Sequence, residues 1–111
     1  MKLNELSQQL ALEVRTAKGK LDAEVTGGYA SDLLSWVMAK AQAGNVWITI
    51  QAHPNIVAVA SLISLSGIVI AEGVTPEPAT LEKAEQEGIP ILTTHLNMYA
   101  VVGKMFELGV R

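Results

Sequence analysis

Four short apolar runs recur along the chain about every 20 to 24 residues, and each leads into a stretch of helical character. They are Glu24-Val25-Thr26, Val46-Trp47-Ile48-Thr49-Ile50, Ile68-Val69-Ile70 and Ile89-Pro90-Ile91-Leu92. Strands that alternate with helices build βαβ units, because parallel neighbours need a crossover and a helix is the usual one. The last three runs are largely apolar rather than alternating with polar residues, as in strands covered on both faces. The expected fold is α/β: a three-layer α/β/α sandwich on a mainly parallel sheet of four to five strands. Ahead of the rhythm, Leu3, Leu6 and Leu10 are spaced for an amphipathic helix over residues 2–12, and Leu12-Glu13-Val14-Arg15-Thr16 alternates as a short edge strand would.

Punctuation sets the expected boundaries. Gly27-Gly28 closes the first strand, Ser31 or Asp32 caps a helix to about Gln42, and Gly44 ends it. Pro54 starts a helix that runs to Leu65. Thr75 and Pro76 open another, which Gly88 stops, and a last helix covers Leu96 to Leu108. Pro90 puts its strand at an edge or sits early in it.

A chain of 111 residues is one domain's worth, read as residues 1–111. Folding reduces its accessible surface from about 17,000 to about 6,000 Å², so a core forms without staples. With 50% apolar and 17% charged residues, disorder is excluded. The absence of Cys excludes disulfides, a thiol nucleophile and cysteine-ligated metal sites. A net charge of −3 argues against a nucleic-acid surface. Residues 41–71 carry no charged side chain, but Gly44-Asn45, Gln51 and His53-Pro54-Asn55 interrupt them, which reads as buried helix and strand rather than a membrane span. With no visible targeting segment, the expected location is a prokaryote-like cytoplasm.

Helices 31–42 and 54–65 are apolar nearly all the way round, and such helices must be covered on every side. Small residues packed on the sheet would explain this; so would a homodimer interface through the two helices, which is the expectation adopted.

In open parallel sheets ligands sit beyond the carboxyl ends of the strands. The loops expected there hold Thr26, Gly27, Gly28, Ser31 and Asp32, then Gln51, His53 and Asn55, then Thr93, Thr94 and His95. These are the candidate ligand-binding residues. Each has a plainer role: the glycines as a turn, Ser31 and Asp32 as caps, the imidazoles as loop residues, Thr93-Thr94 as the cap of the last helix. The strand-end loops carry no Lys or Arg to hold phosphate charge, and no phosphate-binding loop or nucleophile elbow occurs. No metal spacing such as His-x-x-x-His is present, so neither metal nor cofactor is expected, and no catalytic residue is assigned.

The run Glu24-Val25-Thr26-Gly27-Gly28-Tyr29-Ala30-Ser31-Asp32-Leu33-Leu34, followed by Gly44 to Gln51, Asn55 to Ala60 and Gly88 to Thr94, resembles a DRTGG domain. Glu24-Val25 stands where the family name has Asp-Arg. The resemblance implies kinship with the amino-terminal domain of HPr kinase/phosphorylase and with regulatory parts of phosphotransacetylases and pyrophosphatases. It implies a non-catalytic regulatory or ligand-sensing module that often dimerises and binds a small metabolite, a nucleotide or a partner protein. Two other readings stand beside it: a small enzyme using His53 and Asp32, and an adaptor docking on a larger metabolic enzyme.

Overall fold

Side chains along a strand point alternately to the two faces of its sheet, and that alternation sorts the core into two halves. The computed structural model describes residues 1–111, with strands β1 (Glu13–Val14), β2 (Gly27–Ala30), β3 (Asn45–Thr49), β4 (Gly67–Ile70) and β5 (Ile91–Thr93). The helices are α1 (Leu3–Gln9), α2 (Leu34–Lys40), α3 (Asn55–Leu62), α4 (Pro78–Glu87) and α5 (Met98–Glu107). The strands form one sheet in the order β1-β5-β4-β3-β2. β2 to β5 are parallel, and β1 lies antiparallel on the outer side of β5. The expected three-layer, mainly parallel α/β architecture is the one observed.

Because β2 to β5 lie side by side in chain order, successive right-handed crossovers put α2, α3 and α4 on the same face. Trp47, Ile68, Ile70 and Ile91 point into that layer and meet Val37, Ile56 and Ala84. Their neighbours in sequence, Val46, Ile48, Val69 and Leu92, point the other way, onto Leu3 and Leu6 of α1 and Val101 and Met105 of α5. The accessible surface is 5701 Å², that of a compact fold of this size. No helix is long and apolar enough to cross a membrane.

The layer explains the composition of α3. It lies between α2 and α4 and on the sheet, so Ile56, Val57, Val59 and Ala60 are all buried within the chain. Leu62 at its end, 68% exposed, is the one large apolar side chain of α3 that the chain leaves uncovered. α2 is different: only Val37 is buried, while Leu33, Trp36 and Met38 stay exposed, with the Lys40 ammonium 5.1 Å from the Trp36 ring centroid.

Several boundaries differ from the sequence expectation. The first parallel strand does not run over Glu24–Thr26 and close at Gly27-Gly28; it begins at Gly27. At Gly27 a Cβ would come within 3.3 Å of the Arg111 backbone, so glycines here permit close approach along an edge strand rather than end it. α2 starts at Leu34 instead of Ser31, because Ser31 and Asp32 do not cap it. Their side chains are committed elsewhere: Ser31 Oγ accepts from the Leu33 N–H, and Asp32 Oδ1 accepts from Thr49 Oγ1 and the Ile50 N–H. α2 also stops at Lys40 and α3 at Leu62. α4 starts at Pro78 behind Glu77, not at Thr75-Pro76, and α5 starts behind Asn97, whose side chain accepts from the Ala100 N–H. β5 begins after Pro90, which suits a residue with no N–H to give the ladder.

The β1 edge is pinned by one hydroxyl. Thr16, 2% exposed, donates to Ile89 O and accepts from the Ile91 N–H, both at 2.8 Å. Thr16→Val keeps the shape and leaves both backbone groups unpaired in the core. Its expected cost is about 1–3 kcal/mol, read by urea denaturation, without change in helix content.

Candidate functional site

A ligand crevice at the carboxyl edge of a parallel sheet opens where neighbouring strands send their connections to opposite faces. Only one pair of neighbours here does so. β4 leads into α4 on one face, and β5 leads into α5 on the other. A cleft of about 840 Å³ lies at that divergence. The β4–α4 loop contributes Gly73, Val74 and Thr75, and the β5–α5 loop contributes Thr94, His95 and Leu96. Glu13 and Arg15 enter from the antiparallel edge strand, and Lys104 from α5.

The two loops are fastened to each other. The Glu72 N–H donates to Leu96 O at 2.8 Å, and the Gly73 N–H to Thr94 O at 2.9 Å. Glu72 Oε2 accepts from the Met98 N–H, and Thr94 Oγ1 from the Leu96 N–H. Glu72 and Gly73 both have positive φ, at 66° and 69°. At Gly73 a Cβ would lie 2.9 Å from His95 Nδ1, so glycine lets the imidazole rest against the loop. Gly73→Ala is expected to cost about 1–2 kcal/mol through its left-handed backbone. It should also displace the His95 ring, visible as a shifted imidazole resonance by NMR.

Arg15 and Lys104 are the cleft's cations, and neither forms a salt bridge; the only one in the chain joins the terminal ammonium of Met1 to Glu24. Arg15 is half-buried, while Lys104 and His95 are exposed. Two unpaired cations, one carboxylate from Glu13 and the hydroxyls of Thr75, Thr93 and Thr94 make a wall suited to an anionic, hydrogen-bonding ligand.

The sequence candidates divide into three groups. Thr93, Thr94 and His95 line the cleft. Ser31, Asp32, Gln51, His53 and Asn55 are at the same end of the sheet but bond among themselves: Gln51 Nε2 donates to Asp32 O, and the Asn55 N–H donates to His53 Nδ1. No hydrogen bond or ion pair joins His53 to Asp32. Thr26, Gly27 and Gly28 are at the opposite, amino end, because β2 starts at Gly27 and pairs there with Asn45. Thr26 is a latch for the α2–β3 turn: its Oγ1 donates to Ala43 O and accepts from Asn45 Nδ2. Arg15, Lys104 and Gly73 were not among the candidates. The loops themselves hold no Lys or Arg, and the fold brings both cations in from other elements.

These features describe a small three-layer α/β domain with one open cleft where its strand-end connections part. The chain belongs to the DRTGG domain family, whose model matches residues 19–108. α1 and β1, with Arg15, precede the matched segment. A similar fold occurs in the crystal structure of the CBS and DRTGG domains of the regulatory region of Clostridium perfringens pyrophosphatase, complexed with its activator diadenosine tetraphosphate. The likeness has a TM-score of 0.73 at 16% identity, covering 93% of this chain and 46% of that one. No curated protein matches the sequence.

Proposed function

We propose that residues 1–111 work as one non-catalytic regulatory module that senses a small anionic metabolite, a nucleotide polyphosphate first, in the cleft between the β4–α4 and β5–α5 loops. The observation that carries this reading is the pair of unpaired cations, Arg15 and Lys104, lining one cleft with Thr75, Thr93 and Thr94 at the one divergence of the sheet. Its binding set is Arg15, Thr75, Thr93, Thr94, His95 and Lys104. Family membership and the activator named for the pyrophosphatase regulatory region support a sensing role. The enzyme reading through His53 and Asp32 has less support, since the known contacts of both side chains are structural.

The module acts as a homodimer in this reading, in a cytoplasmic setting. The exposed Trp36 and Met38 of α2, with Leu33 just ahead of it, support self-association, whereas α3 leaves Leu62 alone uncovered among its large apolar side chains. The test is thermal denaturation with diadenosine tetraphosphate, ATP, AMP and inorganic triphosphate as probes. Stabilisation by a polyphosphate that depends on Arg15 supports the proposal. No shift with any of the four up to millimolar concentration overturns it.

A further inference from the structure

We propose that a second copy of this chain joins edge to edge along β2, so that the two sheets become one across a two-fold axis and the two α5 helices pack antiparallel over the seam. The proposal rests on the self-association put forward above and assigns its surface.

The open edge is the first observation. β2 pairs with β3 on one side and with nothing on the other. In a parallel ladder, alternate residues turn their N–H and C=O groups to the neighbour, and the Ser31 N–H donates to Ile48 O. Tyr29 therefore shares the inward set, and Gly28 and Ala30, both exposed, present theirs outward. An unpaired edge of this kind is a template for another strand. An antiparallel match centred on Tyr29 sets Gly28 opposite Ala30 of the second copy. Both are outward residues, so each such pair exchanges two hydrogen bonds. Tyr29 then meets Tyr29 of the second copy as a directly opposed pair.

The helix spacing is the second. α5 lies over β3 and β2. Strands are about 4.8 Å apart, so an axis above the β2–β3 seam is one spacing from the two-fold. The two α5 axes then lie about 10 Å apart, at the upper end of the 8–10 Å range for packed helices. The facing surface is mainly apolar and self-complementary, with the Arg111 guanidinium stacked on the Phe106 ring, 4.4 Å from its centroid. Tyr99, Val102 and Phe106 form an exposed stripe, 89%, 38% and 55% exposed. About the midpoint between Val102 and Gly103, Tyr99 faces Phe106 of the second copy. Gly103 leaves a notch at the crossing, since a Cβ there would meet nothing within 4 Å. Beneath this stripe β2 presents Gly28 and Ala30, small enough to admit it, beside Ile48 of β3 and the chain end at Val110-Arg111.

Area is the third. α2 is the outer helix of the other layer at the same edge. Aromatic side chains bury about 150–250 Å² each, so Tyr99, Phe106 and Trp36 leave on the order of 400 Å² per copy to be covered. The strand edge, Val102 and Leu33 extend this toward the roughly 600 Å² per partner of the smaller stable interfaces.

Two variants test the assignment by sedimentation velocity between 5 and about 200 µM. Ala30→Pro removes an outward N–H that the monomer does not use. It should keep the wild-type circular dichroism and weaken dimerisation at least tenfold. Tyr29→Cys, in a chain with no other thiol, should form a disulfide-linked dimer under mild oxidation, while Leu62→Cys at the end of the middle helix α3 should not. A wild-type protein that is monomeric at about 200 µM overturns self-association and this surface together. A dimer that persists in Ala30→Pro, with no crosslink at Tyr29, overturns the surface alone.

Discussion

Replacing Arg15 and Lys104 together by Ala is expected to abolish the stabilisation that a nucleotide polyphosphate gives the protein. A ligand that binds only the folded state raises its stability by about 2.7 kcal/mol at one hundred times its dissociation constant. A charge-assisted hydrogen bond contributes about 1.5–3 kcal/mol, so either substitution alone should weaken binding by about 10- to 100-fold. The double variant should then show no thermal shift at the same concentration. Its stability without ligand should stay close to wild type, because neither cation has an ion pair to lose. Isothermal titration reads the affinity and denaturation reads the fold, so the two effects separate. Full retention of affinity in the double variant would remove the cleft from consideration. A steep fall in wild-type affinity between 50 and about 300 mM salt is the companion result, because the contacts are ionic and partly solvated.

Trp47→Ala is expected to cost about 3–5 kcal/mol and lower the melting temperature by at least about 12 °C. Trp47 is fully buried in β3 and packs against α2 and α3, and its Nε1–H donates to Ser31 O at 2.8 Å. The ring thus fills the helix layer and holds the β2–α2 connection at the same time. Set against a domain stability of about 5–15 kcal/mol, the loss leaves a protein near its folding threshold. Trp47→Phe separates the two contributions. It keeps much of the volume but leaves Ser31 O without its donor, for a smaller loss of about 1–3 kcal/mol. Chemical denaturation of the two variants side by side checks both numbers. A Trp47→Ala protein within 1 kcal/mol of wild type would contradict the packing described here.

The parallel sheet and its layers were legible because apolar runs and helices alternate at one period, and burial on both faces removes the polar alternation from strands such as Ile68-Val69-Ile70. Position within a layer was not legible. α3 and α2 look equally oily as sequences, yet α3 is the middle helix and α2 the outer one. Gly27-Gly28 misled for a related reason. Paired glycines read as a strand ending, but at a sheet edge, where the Arg111 backbone approaches, they belong inside the strand. That shift of a few residues moved Thr26 and both glycines to the far end of the sheet. Only one corner of the cleft could be read in advance, since Thr93, Thr94 and His95 directly end or follow β5. Arg15 and Lys104 could not, because they are 89 residues apart in sequence and only the antiparallel placement of β1 and the return of α5 across the second face bring them to one cleft.

α5 has two working sides. Lys104 looks into the cleft, while Val102 and Phe106 on the same ten-residue helix face outward toward the open strand. Any displacement of a rod so short carries both flanks with it. If the chain pairs through that flank and binds a metabolite in the cleft, as proposed, and filling the cleft shifts the rod, thermodynamic reciprocity requires the metabolite to alter pairing by the same factor by which pairing alters the metabolite's hold.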